Sequence, residues 1–162
     1  NHNDIIKLLK KKGIKGKIVG GYYPYNNELD CIQILEKLEK KNYIISLPKI
    51  KKNFQMDFIQ WSTKEPLVVN KFGIPEPSIG KIKFPDILLI PLLSFDKKLN
   101  RVGYGGGFYD RYIHRIKRKK KPLLIGLAYS FQRVKSIPTN RYDKKLDFVL
   151  TEKKIIEWEY YF

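Results

Sequence analysis

A continuous run of apolar residues, DILLIPLL at residues 86–93, constrains the fold of this chain most strongly. The run lacks the alternation of a half-exposed strand. It is typical of a central strand in a parallel sheet whose two faces are both covered. Pro91 predicts that the hydrogen bonding of this strand ends there. A second such run, LLIGLA at residues 123–128, predicts another buried strand.

Helical patterns alternate with strand patterns along the chain. Apolar side chains recur at helical spacing in residues 4–12 and 28–41, and Asn26 or Asn27 is the expected cap of the second helix. A third helix is predicted at about 109–118. Further strands are expected at 17–23, 43–47, 56–61 and 146–150, and a proline-rich loop at 71–85.

This alternation predicts the fold class. Strands separated by helices favour an α/β fold, a three-layer α/β/α sandwich with a mostly parallel central sheet. The 162 residues contain no internal repeat and no linker-like segment, so we expect a single domain over 1–162.

Composition excludes several classes of protein. The single cysteine, Cys31, excludes a disulfide framework and a multi-cysteine zinc site. The two histidines, His2 and His114, leave little for a histidine-built metal site. The chain has no apolar run long enough for a membrane helix and does not open with a signal-peptide pattern, so a cytoplasmic location is expected.

The chain is strongly basic, with a formal net charge of +17 and 27 Lys against 6 Arg. Proteins that read nucleic acid by paired contacts favour Arg, and here the Lys residues are spread along the whole chain. The densest run, RIKRKKK at residues 115–121, is either a phosphate-attracting patch or a solvated helix end. A basic domain that binds nucleic acid or polyphosphate therefore stays open as an alternative.

The stretch RVGYGGGFYDR at residues 101–111 carries the clearest chemistry. Its four glycines let the backbone approach a ligand closely, and the predicted helix start that follows favours phosphate. Arg101 can add a charge-assisted contact, and Asp110 can hold a Mg²⁺ ion that bridges phosphate oxygens. These parts predict a site for a nucleoside triphosphate. The alternative is a flexible turn with an acidic helix start, and neither the P-loop nor the dinucleotide pattern is matched.

A longer string that contains this stretch, LLIPLLSFDKKLNRVGYGGGFYDRYI at residues 88–113, resembles the signature of the 5-formyltetrahydrofolate cyclo-ligases, also called methenyltetrahydrofolate synthetases. The GYYP segment at 21–24, followed by Glu28, is similar to an early strand of that family. Residues 132–152 are similar to its C-terminal segment. The resemblance extends from about residue 17 to residue 152.

The resemblance implies a cytoplasmic enzyme of one-carbon metabolism. Such an enzyme converts 5-formyltetrahydrofolate to 5,10-methenyltetrahydrofolate and releases ADP and phosphate, with ATP and Mg²⁺ as cofactors. Phosphoryl transfer of this kind needs positioning and electrostatic stabilisation rather than a protein nucleophile, which suits a chain with few His and Cys. We expect a monomer that acts on a small molecule, with or without added glutamates, and that has neither nucleic acid nor membrane as a partner.

The resemblance also assigns site residues, with Arg101 and Asp110 as the catalytic pair. Mg²⁺ would be bound by Asp110 and Asp143, and Asp147 is a weaker candidate. ATP would be bound by Arg101, Gly103, Tyr104, Gly105, Gly106, Gly107, Phe108 and Tyr109. The folate would be bound by Glu28, Met56, Phe72, Phe108 and Tyr109.

Each of these assignments has a structural alternative. Glu28 can be a favourable first-turn carboxylate of the helix at 28–41, and Asp143 can belong to a turn. The aromatic residues and Met56 can be core or loop-anchoring contacts.

The chain departs from the family pattern in three places. Family members have an upstream helix with a basic pair that is expected to be missing here, Gly106 stands where some members have Lys or Arg, and Leu99 stands where a turn Gly is usual. A truncated or degenerate member without turnover is therefore a second alternative.

Overall fold

The two apolar runs form neighbouring strands in the middle of the sheet, as predicted. The computed structural model describes residues 2–158. Ile87–Pro91 lies parallel to Leu123–Leu127, and the register ends with Pro91 opposite Leu127. Pro91 is the last residue of its strand, because a proline has no N–H to donate to a further ladder bond.

Within residues 2–158 the chain forms three α-helices and twelve strands. The helices are α1 (His2–Lys11), α2 (Ile32–Lys40) and α3 (Phe108–Ile116). The strands are β1 (Ile18–Gly20), β2 (Ile44–Ile50), β3 (Met56–Gln60), β4 (Val68–Val69), β5 (Pro75–Glu76), β6 (Ile82–Lys83), β7 (Ile87–Pro91), β8 (Ser94–Phe95), β9 (Arg101–Val102), β10 (Leu123–Leu127), β11 (Phe148–Leu150) and β12 (Ile155–Glu157).

Eight of these strands form the central sheet, in the order β12-β11-β10-β7-β1-β2-β3-β6. The five inner strands from β11 to β2 are mutually parallel. The remaining three, β12 at one edge and β3 and β6 at the other, pair antiparallel. The predicted mostly parallel sheet is therefore confirmed.

Helices cover both faces of the sheet. Side chains of β7 alternate between the two cores: Ile87 and Leu89 pack with α1 and α2, whereas Leu88 and Ile90 pack with α3. All four are completely buried, which explains why the run shows no polar alternation. This arrangement confirms the three-layer α/β/α sandwich. None of the helices in residues 2–158 is long and apolar enough to cross a membrane.

The second helix is shorter than predicted, and its predicted cap is wrong. It begins at Ile32, and the Ile32 N–H donates to the Asp30 carboxylate rather than to Asn26 or Asn27. The segment before it is fixed by Tyr22, whose hydroxyl donates to the carbonyl of Leu29 and whose own carbonyl accepts from the Cys31 thiol. These tertiary bonds hold the segment outside the helix. Glu28 is therefore not a first-turn residue of α2.

Two strand predictions also need correction. The strand predicted at 43–47 continues through Pro48 to Ile50, because β3 pairs with β2 as far as Ile50. Pro48 interrupts no ladder with β1, which pairs with β2 only as far as Ser46. The predicted loop at 71–85 contains β5 and β6, and β6 adds the last strand to the central sheet. Strands of two residues leave no periodicity that a sequence pattern could reveal.

Candidate functional site

Several loops, some of which carry predicted site residues, leave the sheet where its parallel strands end. Tyr22 and Glu28 follow β1, residues 51–55 follow β2, and the β8–β9 hairpin follows β7. Because the carboxyl ends of parallel strands meet at one edge of a sheet, these loops face one crevice.

We call residues 101–110 the glycine turn, and Arg101 is its buried centre. The Arg101 side chain is 8% exposed, and its Nη2 donates to Asp110 Oδ1 at 3.2 Å. The guanidinium also lies over the Tyr109 ring, 5.8 Å from its centroid. Its Nε is buried and has no hydrogen-bond partner among the described residues. A buried donor without a partner is costly, so this guanidinium has unused capacity to bind an anion.

The glycines of the turn leave room for this guanidinium and give the backbone its course. A Cβ on Gly103 would lie 2.9 Å from Arg101 Nη1. Gly105 and Gly107 have φ of +90° and +66°, the left-handed region that glycine adopts without strain. Within residues 2–158 none of the backbone N–H groups of 103–107 donates a hydrogen bond. Unpaired N–H groups just before the start of α3 are the donors that an anion site requires.

Gly106 is required by packing as well. A Cβ at this position would lie 2.7 Å from the Phe108 ring. A longer side chain at this position would displace that ring. The departure at Gly106 and the position of Phe108 are therefore linked.

Asp110 is the better placed of the two predicted metal ligands. Its Oδ1 accepts from Arg101 and from the backbone N–H of Lys144, the latter at 3.1 Å. The contact with Lys144 brings its neighbour Asp143 beside the glycine turn. Asp143 is exposed, and its Oδ2 accepts from the N–H of Asn140.

These carboxylates fit a magnesium ion that is shared with phosphate. Among residues 2–158 no group of three or more His, Cys, Asp or Glu is arranged to hold a metal. Mg²⁺ ordinarily binds through one or two carboxylates together with substrate phosphates, so Asp110 with Asp143 suits that ion. The weaker candidate, Asp147, accepts instead from the N–H of Leu124 in the sheet.

A buried carboxylate, Asp96, joins the glycine turn to the loop that carries Asp143. The Asp96 side chain accepts four hydrogen bonds, from the N–H groups of Lys98, Asn100 and Ile137 and from the Asn100 amide. The residue is 2% exposed. A carboxylate with this many donors fixes the backbone on both sides. Asp96 therefore sets the position of Arg101 relative to the 137–143 loop.

Glu28 lies among tyrosines on the other side of the crevice. Burial raises the pKa of the Glu28 carboxyl to about 7, although a hydrogen bond from the Tyr25 N–H opposes the shift. Burial raises the pKa of the Tyr109 and Tyr104 hydroxyls, and the nearby Glu28 raises both further. Glu28 therefore lies near enough to the glycine turn to act on two of its tyrosines.

Three phenylalanines, which we call the aromatic surface, extend from the glycine turn. The ring centroids of Phe54 and Phe72 each lie 6.3 Å from the ring centroid of Phe108. Phe54 is 63% exposed and Phe72 is 41% exposed, so these rings present apolar area to solvent. Met56, predicted to line the same surface, is only 2% exposed and packs in the core beneath α3.

Sequence reasoning missed the residues that hold this surface in place. Arg111 donates to the carbonyls of Phe54 and Gly106, at 2.8 and 2.7 Å from its Nη2. The Phe72 N–H donates to the side chain of Asn70, and Asn70 in turn donates to the nearly buried Glu76. Asn70 and Glu76 belong to the short β4–β5 hairpin. Their spacing in the sequence does not indicate that they hold Phe72 in place.

Fold and site together define an α/β protein with a basic, glycine-lined anion site beside an aromatic surface. Comparison with known proteins identifies the family. The model of the 5-formyltetrahydrofolate cyclo-ligase family matches residues 7–152. The chain belongs to this family.

Individual relatives agree with the family match. The chain is 33% identical over 144 residues to the 5-formyltetrahydrofolate cyclo-ligase of Haemophilus influenzae, covering 84% of this chain and 76% of the relative. It is 30% identical over 148 residues to that of Escherichia coli K12, covering 86% and 80%.

Solved structures are similar as well. A 5,10-methenyltetrahydrofolate synthetase from Aquifex aeolicus superposes with a TM-score of 0.75 at 29% identity, over 97% of this chain and 80% of that one. The synthetase from Mycoplasma pneumoniae gives 0.69 at 26% identity, over 91% and 80%. These findings favour a folate ligase over the basic nucleic-acid-binding alternative.

Proposed function

We propose that this protein closes the ring of 5-formyltetrahydrofolate to give 5,10-methenyltetrahydrofolate, using ATP and Mg²⁺ and releasing ADP and phosphate. The observation that carries the proposal is the buried Arg101 guanidinium. It lies against Asp110 under a turn of unpaired N–H groups, in the same crevice as Glu28. The family to which the chain belongs supports the substrate.

The glycine turn would bind the triphosphate. ATP with Mg²⁺ supplies the phosphoryl group that makes the formyl oxygen a leaving group, so that N10 attacks the formyl carbon and phosphate departs. Arg101 would contribute the unused Nε and the N–H groups of 103–107 would contribute backbone donors. Asp110 and Asp143 would hold the metal against the phosphate oxygens.

The opposite side of the crevice would bind the folate. Glu28, in its ionised form, would accept hydrogen bonds from N–H groups of the pterin, and Tyr109 and Phe108 would flank the ring system. The exposed Phe72 ring would cover it. Binding both reactants in one crevice supplies the positioning on which such a reaction depends. The proposal carries with it the cytoplasmic location and the monomeric state expected from the sequence.

The test mixes the purified chain with 5-formyltetrahydrofolate and Mg-ATP and follows the near-ultraviolet absorbance of the methenyl product, with ADP measured in parallel. We expect a rise that needs ATP and Mg²⁺ and that matches ADP formation mole for mole. Folate-independent ATP hydrolysis, or no product at saturating reactants from a folded chain, would contradict the proposal.

A further inference from the structure

Arg111, the residue after the glycine turn, bonds to both sides of the crevice at once. Its Nη2 donates to the carbonyl of Phe54 at 2.8 Å and to the carbonyl of Gly106 at 2.7 Å, and its Nε also donates to Phe54, at 3.2 Å. The guanidinium lies over the Phe108 ring, 5.2 Å from its centroid. One cation thus joins the β2–β3 loop, which carries Phe54 of the aromatic surface, to the proposed phosphate site.

On the glycine side, Arg111 sets the orientation of one peptide group. The carbonyl of Gly106 and the N–H of Gly107 belong to the same trans peptide plane and point in opposite directions. Because Arg111 holds the carbonyl, the Gly107 N–H is directed away from the guanidinium. This N–H has no acceptor among residues 2–158, and Gly107 is the residue just before α3. Arg111 therefore orients one donor of the proposed phosphate site.

On the folate side, Arg111 holds a strained loop. Asn53 and Phe54 have φ of +60° and +58°, and neither is glycine. Such left-handed conformations cost free energy and persist where surrounding contacts impose them. Phe54 is 63% exposed, so burial does little to hold it, whereas its carbonyl accepts two bonds from Arg111. Weakening of these bonds would let the loop relax.

We propose that Arg111 is a positioning residue that couples the binding of the nucleotide to the binding of the folate. The inference rests on the proposed function, which brings both reactants into this crevice. Phosphate bound by the Gly107 N–H would favour the peptide orientation in which Gly106 accepts from Arg111. That orientation keeps the β2–β3 loop held, with Phe54 beside Phe108 for the folate ring. By linkage, the folate raises the affinity for the nucleotide by the same factor.

The first experiment measures this coupling without turnover. Calorimetry gives Kd for 5-formyltetrahydrofolate with and without a saturating non-hydrolysable Mg-ATP analogue, and Kd for the analogue with and without the folate. For the wild type we expect each ligand to tighten the other about tenfold. Arg111→Met keeps an unbranched stem but removes every donor, and should reduce this factor to about twofold or less. Arg111→Lys keeps the charge and a donor, and its factor should lie between the other two.

A second measurement follows the loop itself. The loop is closed by a bond from the Lys51 N–H to the carbonyl of Gln55, at 2.7 Å. Deuterium exchange of the amides of residues 51–55 therefore reports release of the loop. In the wild type the Mg-ATP analogue alone should slow this exchange about tenfold, although the loop is not a proposed nucleotide contact. In Arg111→Met the exchange should be faster than in the wild type and should not respond to the analogue.

Arg118→Met is the matched control for the loss of a positive charge. Arg118 is exposed and lies two residues beyond the end of α3. An effect that came only from attraction of anionic ligands by a basic chain would appear in this variant as well. We expect Arg118→Met to keep both the coupling and the exchange of the wild type.

The outcomes separate the coupling role from the proposed function. Independent binding of the two ligands to the wild type, an unchanged factor in Arg111→Met, or an equal loss in Arg118→Met overturns the coupling role and leaves the proposed function standing. A folded wild type that binds neither ligand overturns both. If circular dichroism showed that Arg111→Met is unfolded, exchange in the wild type would still decide, because an analogue that leaves the exchange of residues 51–55 unchanged overturns the coupling.

Discussion

The two sides of the crevice are assembled in different ways. The glycine turn takes its proposed ligand-binding groups from ten consecutive residues, 101–110. The aromatic surface takes Phe54, Phe72 and Phe108 from three separate segments. In the glycine turn, the local backbone sets most of the positions of these groups. In the aromatic surface, the positions depend on contacts between distant parts of the chain.

The difference extends to what holds each side in place. Asp96 fixes the glycine turn from within the core, where it is 2% exposed. The loops of the aromatic surface are held by surface hydrogen bonds, from Arg111 to the carbonyl of Phe54 and from the Phe72 N–H to the side chain of Asn70. Buried hydrogen bonds of a carboxylate are more costly to break than exposed ones. We therefore expect the glycine turn to be rigid and the aromatic surface to adapt to the folate.

The largest effect is expected from Asp110→Asn. Loss of the carboxylate removes the partner of Arg101 and a ligand for the metal, so kcat should fall about 100-fold or more while the fold is kept. The measurement is methenyl formation at saturating ATP and folate, with circular dichroism as the check on folding. Asp147→Asn, which alters a carboxylate that bonds within the sheet, is the control for kcat. Normal Mg²⁺-dependent turnover in Asp110→Asn would remove the metal assignment.

Arg101→Ala tests whether the two sides bind different reactants. The buried guanidinium belongs to the glycine turn, so its loss should raise KM for ATP about tenfold and change KM for the folate much less. KM for each reactant is measured at saturation of the other. Lys40→Ala removes the same charge on the far side of the sheet and should change neither value. A larger effect on the folate than on ATP would contradict the phosphate role of Arg101.

The contrast between the two sides also explains what could be predicted from the sequence. The glycine turn is contiguous, and the side chains and glycines that define it appear together in one motif. The buried strands β7 and β10 were predicted for the same reason, since their burial leaves a continuous apolar run. By contrast, Phe54 and Arg111 meet only after folding, across 57 positions of the chain.

Where tertiary contacts override local preference, the sequence prediction was wrong. Bonds from Tyr22 hold the segment before α2 outside the helix and move Glu28 from a helix start into the crevice. Met56, predicted to line the folate site, is 2% exposed and lies on the face of β3 that packs beneath α3, and its contact with the folate stays a prediction.

Glu28→Gln sharpens the comparison from the folate side. It should raise KM for the folate about fivefold to tenfold and leave KM for ATP unchanged, the reverse of Arg101→Ala, because an amide accepts fewer hydrogen bonds from the pterin than a carboxylate does. In the wild type, folate affinity should rise with pH through about 7, where Glu28 ionises. This pH dependence should be absent in the variant.

The Glu28 carboxyl also makes the free energy of unfolding depend on pH. Its pKa in the folded protein, about 7, lies above the ordinary value of 4.5, so its contribution to the free energy of unfolding is fully present below 4.5 and is lost as the pH rises through 7. As the pH rises from 4.5 to 7, Glu28→Gln should therefore become more stable relative to the wild type. The measurement is urea unfolding of both proteins at the lower and at the upper end of this pH range. Glu36→Gln, at an exposed position of α2, should show no such trend. A difference independent of pH would mean that Glu28 has the same pKa in the folded and in the unfolded chain.

The smallest expected difference lies between two substitutions of Leu99, at the turn that leads into Arg101. The residue has a φ of +63° and is 1% exposed, so a strained backbone is combined with a buried side chain. Its N–H donates to the carbonyl of Asp96, and its carbonyl accepts from Leu146. The turn thus keeps a left-handed residue that is not glycine because the side chain packs in the core.

Substitutions at Leu99 separate these two contributions. Leu99→Ala loses the packing and keeps the strain, and should cost about 2–4 kcal/mol. Leu99→Gly loses the same packing but relieves the backbone, and should be more stable than Leu99→Ala by about 0.5–1 kcal/mol. Leu92 is the matched control, because it is equally buried and its φ is not positive. There Gly should be less stable than Ala by about 1 kcal/mol. If urea unfolding gave the same order at both positions, the turn before Arg101 would be unstrained, and its geometry would be set by Asp96 alone.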